Sequence, residues 1–217
     1  SLEVEGWFKT MDHLREYGGH AMLYPPLEQW ERNYPEGKGM AYGADLALNY
    51  DTEKTDISVA YTLSWTKRKF DTLHPEWFLN WNDNRHKVTI TVSHRFSDRF
   101  DIYGAWNFKN GNRLSVNPYD VGADLDMSHA PYKGWTSVSG SFYNVQLPPY
   151  HRLDLGMNFR KTTKRGNESI WNVSFYNVYC RMNPLYAEIR KDDNGNEYGV
   201  GIGIIPIIPS FSYTLKF

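Results

Sequence analysis

The sequence predicts an all-β protein, and more specifically a transmembrane antiparallel β-barrel. Three patterns favour this fold class: polar and apolar residues alternate in short runs, aromatic residues lie at the ends of those runs, and short and long links alternate between them. The last run shows the alternation most clearly. Every second residue from Phe211 to Phe217 is apolar, and every second residue from Ser210 to Lys216 is polar, so one face of that strand is wholly apolar.

Composition excludes several other classes of protein. The chain has 217 residues, a net charge of −1 and 16% aromatic residues, so neither a basic surface for nucleic acid nor an acidic disordered block is predicted. Cys180 is the one cysteine, so no disulfide can form within the chain. The longest apolar stretch, Ile202–Ile208, is too short for a membrane-spanning helix, which needs about 18 or more residues.

Eight runs are predicted as strands, and no amphipathic helix is. The runs are about 2–10, 39–50, 55–66, 86–96, 99–109, 150–161, 169–180 and 204–217. The first is charged on one face only, through Glu3, Glu5 and Lys9. Apolar residues take every second position of the next three runs, over Tyr42–Tyr50, Ile57–Trp65 and Val88–Phe96, with His94 the single exception.

The later runs repeat the pattern with one weak member. The fifth and sixth runs alternate over Phe100–Phe108 and Leu153–Phe159, whereas the seventh has Tyr176 and Val178 on its polar side. The charged residues of all these runs fall on the polar face. A Lys or Arg facing lipid at mid-depth costs roughly 2–4 kcal/mol, so a barrel requires this exclusion. A soluble core requires it too, and the pattern alone leaves both open.

Aromatic positions and link lengths favour the barrel. Aromatic residues lie at run ends, as Tyr42 and Tyr50 do, which suits the two interfaces of a membrane. The links alternate between short ones (Asp51–Lys54, Ser97–Asp98, Thr162–Glu168) and long ones (11–38, 67–85, 110–149, 181–203). Outer-membrane barrels combine short periplasmic turns with long external loops, so the chain is predicted to end on the periplasmic side.

The polar face predicts a wide barrel of which this chain is a part. An eight-stranded barrel is filled by its own side chains, but the inward residues of the third run are small: Asp56, Ser58, Ala60, Thr62 and Ser64. The chain also opens as a strand, with no signal peptide before it. We therefore expect residues 1–217 to be the C-terminal segment of a larger barrel.

Five phrases in order carry a family resemblance: Ser58–Ser64 continuing to Arg68–Phe70, Asp83–His86, Pro148–Asp154, Asn177–Pro184, and Ile208–Tyr213 leading to Phe217. Over nearly the whole chain, the set resembles the C-terminal third of a TonB-dependent outer-membrane receptor of the Bacteroidetes type. The resemblance implies a barrel of about 22 strands with an N-terminal plug in its lumen. It also implies a location in the bacterial outer membrane.

The same resemblance implies active uptake of a large or scarce nutrient, which could be a siderophore, haem, cobalamin, a glycan or a peptide. The implied partners are outer-membrane lipid, the rest of the barrel and its plug, the TonB complex acting through the missing N-terminal part, and a surface lipoprotein over the mouth. The chain lacks the plug and the TonB-contacting segment, so alone it would supply only barrel wall and external loops.

Two groups of candidate residues follow. Aromatic, acidic and histidine side chains in the long links are candidates for substrate binding: Trp77, Trp81, Tyr119, Asp120, Asp124, His129, Tyr132 and Trp135. Charged residues on the polar face are candidates for the lining of the lumen or for contact with the plug: Asp45, Asp56, Lys87, Arg95, Asp101, Arg152 and Asp154.

No catalytic or metal site is predicted, and no cofactor. His151 and Asp154 fall on opposite faces of their strand, which defeats a catalytic pair, so we expect no enzyme. The four histidines of the links have no spacing typical of metal ligands, and Asp124 and Asp126 lack the glycine and distal glutamate of a calcium loop. Two alternatives remain open: a small autonomous outer-membrane barrel with a structural or adhesive role, and a soluble β-sandwich that binds carbohydrate.

Overall fold

The structure is a computed structural model that describes residues 1–16, 34–72, 74–115, 143, 145–163, 166–191 and 197–217. Over these residues the chain forms strands and no helix. The strands are β1 (Leu2–Arg15), β2 (Glu36–Asp51), β3 (Thr55–Phe70), β4 (His74–Leu79), β5 (His86–Ser97), β6 (Phe100–Lys109), β7 (Arg113–Leu114), β8 (Val145–Gln146), β9 (Tyr150–Thr162), β10 (Glu168–Tyr176), β11 (Tyr186–Lys191), β12 (Glu197–Ile202) and β13 (Ile208–Lys216).

One antiparallel sheet contains the eight long strands in the order β1-β2-β3-β5-β6-β9-β10-β13, so each long strand pairs with the next long strand along the chain. β4 pairs with the far end of β3, and β7–β8 and β11–β12 form separate two-stranded hairpins. The prediction of an all-β antiparallel fold is confirmed, and the eight long strands coincide with the eight predicted runs. Sequence reasoning missed the five short strands, which all lie within the links predicted to be long.

No helix in the described part of the chain has the length and hydrophobicity needed to cross a membrane.

Some strand ends differ from the prediction for local reasons. The seventh run was expected to continue to Cys180, but β10 ends at Tyr176 because Asn177 takes a φ of 55°, which turns the chain out of the extended conformation. β1 and β2 extend further than predicted, since their pairing resumes beyond an irregularity with Arg15 opposite Glu36. β13 begins at Ile208, four residues later than expected.

The two faces of the sheet differ in chemistry and exposure. We call the face with Leu46, Ile90 and Leu155 the apolar face, and the one with Asp45 and Lys87 the polar face. Pairing keeps each face continuous across strands. On β2 the apolar residues Leu46, Leu48 and Tyr50 are 38%, 46% and 59% exposed, whereas the alternating residues of the polar face are half-buried. On β2 this order is the reverse of that in a soluble domain, in which the apolar face is the buried one. On β5 the order differs, since Val88 and Ile90 are half-buried and Thr89 and Thr91 are exposed.

The sheet is a single layer where it is described. The extensive contacts of every long strand are with its hydrogen-bonded neighbours, or with β4 in the case of β3. The buried apolar side chains instead cluster at the end of the sheet that carries the long links. Phe70 is fully buried there, and Phe78, Val145 and Leu147 are nearly so. Among the described residues the fold therefore has a small core under its links and none against the apolar face.

A row of aromatic rings crosses the apolar face at the short-turn end. Pairing places Phe100 opposite Phe159, Phe159 opposite Trp171, and Trp171 opposite Tyr213. The Phe100 and Phe159 ring centroids are 4.9 Å apart, and those of Trp171 and Tyr213 are 4.6 Å apart. Phe96 stacks on Phe100 at 5.6 Å and extends the row to β5.

A second set of rings lies towards the long links. Phe8 is opposite Tyr42, whose ring stacks on Trp65 with centroids 5.3 Å apart. The same eight-residue step separates the two ends in three strands, from Tyr42 to Tyr50, Phe100 to Phe108 and His151 to Phe159. Eight residues of extended chain cover about 26 Å. On these three strands a mostly aliphatic band of the same width therefore lies between two ring-bearing borders, and on β3 Tyr61 lies within the band, opposite Leu46.

A substitution at Gly156 tests how tightly the polar face is packed. It lies opposite Tyr103, and a Cβ added at Gly156 would overlap the Tyr103 ring. We expect Gly156→Ala to destabilise the protein by about 1–3 kcal/mol through overpacking. Urea titration of the folded protein measures this.

Two comparisons isolate the cause of that loss. Gly6→Ala is the matched control, because nothing lies within 4 Å of the added Cβ at Gly6. It should change stability by no more than about 0.5 kcal/mol. In a Tyr103→Ala background the Gly156→Ala penalty should vanish; an unchanged penalty there would contradict the packing described.

Candidate functional site

All seven charged residues predicted for the lumen lie on the polar face of the sheet, and most of them are hydrogen-bonded. Asp101 of β6 accepts from Arg160 of β9 and from Asn158 Nδ2 at 2.8 Å. Asn172 of β10 donates to Asn158 Oδ1 at 2.8 Å and to the Tyr103 hydroxyl at 2.9 Å. Lateral hydrogen bonds thus connect three adjacent strands across the polar face.

Arg152 lies at the centre of a second network, nearer the long links. Its Nε donates to Asp154 Oδ2 at 2.9 Å, and its Nη1 donates to the hydroxyls of Tyr150 and Tyr176 at 2.9 and 2.6 Å. The guanidinium also lies 4.0 Å from the centroid of the Tyr176 ring, which is a cation–π contact. Tyr176 breaks the apolar–polar alternation of its strand because its ring lies on the polar face, in contact with Arg152.

A third network holds Asp45. The indole Nε1 of Trp7 donates to Asp45 Oδ2 at 2.8 Å, and the hydroxyl of Thr62 donates to the other carboxylate oxygen. Asp56 accepts from the Ser93 hydroxyl at 2.9 Å. Sequence reasoning did not single out Trp7, although its parity with Glu5 placed it on the polar face.

Two of the predicted cations lie differently. Arg95 is directly opposite Asp101, the residue that also binds Arg160. Lys87 is directly opposite Thr62 on one side and Lys109 on the other. The charged pairs of the polar face are concentrated on β6, β9, β10 and β13, where Lys216 lies 3.1 Å from Glu168, while Lys87 faces another cation.

The predicted binding residues divide between described and undescribed parts of the chain. Trp77 in β4 and Trp81 just after it are 42% and 46% exposed at the long-link end. The other six, which are Tyr119, Asp120, Asp124, His129, Tyr132 and Trp135, lie outside the described residues. The structure therefore places two exposed indoles at the long-link end of the sheet and does not bear on the rest of the group.

Buried polar side chains hold Trp81 in place. Asn80 accepts from the backbone NH of Trp81 at 3.0 Å, and Asp83, 2% exposed, accepts from the backbone NH of Thr66 at 2.8 Å. The backbone NH of Arg113 donates to the carbonyl of Trp81 at 2.7 Å. The base of the third long link is thereby fastened to the second.

Gly111 and Tyr143 complete that fastening. A Cβ on Gly111 would overlap the backbone carbonyl of Leu147, so only glycine fits at this crossing. The Tyr143 hydroxyl donates to Glu16, which also binds Arg68 at 2.9 Å. Burial, followed by the nearby Glu16 carboxylate, raises the pKa of Tyr143 above its usual value.

The segment after β10 is a turn held by two asparagines. Asn177, 1% exposed, donates through Nδ2 to the carbonyls of Arg181 and Ile205 at 2.9 and 3.1 Å, and its Oδ1 accepts from the Arg181 NH at 3.1 Å. Asn183 bonds both the NH and the carbonyl of His151, at 3.0 and 2.9 Å, and so substitutes for a strand partner. The phrase Asn177–Pro184 therefore has a structural role.

Within the described residues the structure brings together no group of three or more His, Cys, Asp or Glu side chains able to hold a metal ion. His151 lies on the apolar face and its Nδ1 is 2.8 Å from the Tyr179 hydroxyl, whereas Asp154 belongs to the polar face. The predicted separation of this pair is confirmed.

Comparison with known proteins gave no match to a family model, to a curated protein or to a solved structure.

Asn177 offers a test of the turn. Both Asn177→Gly and Asn177→Ala remove the three side-chain hydrogen bonds. We expect each to lower the free energy of unfolding by about 1–3 kcal/mol, because buried backbone groups lose their partners. Alanine should cost about 1 kcal/mol more than glycine, since only glycine adopts a positive φ without strain. Equal stability of the two variants in thermal unfolding would contradict the positive φ.

The pair His13–Glu36 predicts a pH dependence at the long-link end. His13 Nδ1 lies 2.9 Å from Glu36 Oε2, and this hydrogen bond is the main reason that the pKa of His13 is raised and that of Glu36 lowered. The contact favours the folded state below the ordinary pKa of histidine and is lost as pH rises through the raised value. It is also lost as pH falls through the lowered pKa of Glu36.

An NMR titration of the His13 ring measures this shift directly. The His13 pKa should lie above 6.5, the ordinary histidine value, and Glu36→Gln should bring it down. Asp12→Asn is the control, because Asp12 contributes less to the shift than Glu36 does. A larger fall in Asp12→Asn than in Glu36→Gln would contradict the assignment.

Proposed function

We propose that the chain is part of the wall of an outer-membrane TonB-dependent transporter that takes up a large or scarce nutrient. The observation that carries the proposal is the exposed apolar face, a band of mostly aliphatic side chains between two sets of aromatic rings. Such a face needs a non-aqueous neighbour, and the described residues provide none. Hydrocarbon is the neighbour that also accounts for the aromatic borders.

The dimensions of the band support a bilayer. Counting both ends, Tyr42–Tyr50, Phe100–Phe108 and His151–Phe159 each contain nine residues. A tilted strand crosses the hydrocarbon core in about 9–11 residues. A β-sandwich, the soluble alternative, would cover its apolar face with a second sheet. The single layer of the described sheet therefore favours the interpretation that this face contacts a membrane.

The polar face supports a wide lumen. Side chains such as Asp45, Asp101 and Arg152 are solvated or bonded to one another there, as suits a water-filled or plugged interior. β1 and β13 are long strands that each pair on one side only within the described sheet. Open edges of this length are sites at which further strands can pair. We propose that these belong to a barrel of about 22 strands with a plug.

Each component of the proposed assembly has a part in transport. The long links form the external mouth, where the exposed indoles of Trp77 and Trp81 offer apolar stacking surfaces. The plug and the TonB complex would supply gating and energy, and a surface lipoprotein would cover the mouth. No residue in this chain is assigned a catalytic, metal or cofactor role. The substrate is a siderophore, haem, cobalamin, a glycan or a peptide.

Neighbouring positions on β2 test the membrane assignment. Leu46→Arg places a charge at the middle of the apolar band and should cost about 2–4 kcal/mol of stability in the bilayer. Ala47→Arg is the matched control, because Ala47 lies on the polar face opposite Glu3. Its charge should be tolerated.

Membrane fractionation and protease protection in a bacterial host give the readout. Within the complete barrel to which we propose the chain belongs, wild type and Ala47→Arg should assemble in the outer membrane, and Leu46→Arg should assemble poorly. A wild-type protein that stays in solution without detergent would refute the proposed function. Equal assembly of both variants would refute the lipid-facing assignment of β2.

A further inference from the structure

The polar face carries a cluster of three cations, with a single paired carboxylate, close to the long links. Lys87 of β5 and Lys109 of β6 are directly opposite each other, which is a destabilising arrangement for like charges. Tyr150 of β9 is opposite Lys109, and the Lys109 ammonium lies 5.7 Å from the centroid of its ring. The same tyrosine hydroxyl accepts from Arg152 at 2.9 Å. Three cations thus lie on three adjacent strands.

Carboxylates near this cluster are already engaged. Asp154 binds Arg152 and also accepts from the backbone NH of Asn177 at 2.9 Å. Asp45 is held by Trp7 and Thr62, and Thr62 separates it from Lys87 by one strand. Counting Lys87, Lys109 and Arg152 against Asp154 leaves two positive charges. Within the described residues, neither lysine makes an ion pair.

Other groups complete a receptor for an anion. Lys109 Nζ donates to Asn112 Oδ1 at 3.3 Å, which holds the ammonium in place. The hydroxyls of Tyr150 and Tyr176 and the amide of Asn107, opposite Arg152, add neutral polar groups beside the charges. Carboxylate and phosphate groups bind to such combinations of ammonium, guanidinium and hydroxyl donors.

We propose that Lys87, Lys109 and Arg152 form a binding site for an anionic group, a carboxylate or phosphate, on the nutrient that the transporter takes up. The inference rests on the proposed function and narrows the substrate class to anionic molecules. The repulsion between the two lysines is relieved when the anion binds, so the site is retained at a cost to the stability of the free protein.

Citrate and inorganic phosphate are the probes, added at constant ionic strength to the intact protein in detergent micelles. We expect calorimetry to detect binding of at least one of them, and the melting temperature of the wild type to rise with its concentration. Lys109→Gln should weaken binding about tenfold, the loss of one charge-assisted contact. Without anion, the same variant should melt no lower than the wild type, because the repulsion is gone.

Lys9→Gln is the control, as Lys9 is a lysine of the same face on β1, opposite Ala41. It should bind the probe as the wild type does. Lys87→Gln removes the other lysine of the site. Weaker binding of the probe by this variant supports the site even if Lys109→Gln has a folding defect. Lack of binding by the wild type, or equal binding by all variants, overturns the anion site while leaving the membrane assignment intact, because fractionation tests that separately.

Discussion

The exposed apolar face constrains everything else in this structure. Aliphatic side chains of this face such as Leu46, Leu48 and Leu155 are 38%, 46% and 38% exposed. Apolar area left in water forgoes about 25 cal/mol per Å², so water is an unfavourable neighbour for this face. The alternation of polar and apolar residues places this face on one side of eight strands, and the pairing keeps it continuous. The environment of that face decides whether the protein is a membrane wall or one layer of something else.

The polar face carries charged side chains and provides many of them with hydrogen-bond partners. Arg152, Asp101 and Asp45 each sit in a network that crosses strands, so lateral side-chain bonds reinforce the backbone pairing. The Lys87–Lys109 pair is different, because it opposes two like charges. Elsewhere on this face Arg152 is paired with Asp154 and Arg160 with Asp101, so the juxtaposition of two cations distinguishes this point of the face.

The sequence was sufficient to predict the long strands and their faces. A period of two is a strong signal over eight or more residues, so parity alone assigned Asp45, Lys87 and Arg152 to the polar face. The short strands within the long links were missed, because two to six residues carry too little pattern. The turn at Asn177 was missed for a different reason: its positive φ depends on bonds to Arg181 and Ile205, which are brought close only by the fold. The loop core around Phe70 and Phe78 was likewise invisible to local pattern.

The most direct test of the account is the environment of the apolar face, residue by residue. With Cys180 replaced by serine, a nitroxide label is placed in turn along β2 and β9 of the protein in lipid vesicles, and its collision rates with oxygen and with a water-soluble nickel complex are measured. The account predicts a period of two, with labels at Leu46 and Leu155 open to oxygen and shielded from nickel, and labels at Ala47 and Asn158 the reverse. Uniform nickel access on both faces, or shielding of both faces from both reagents, would contradict it.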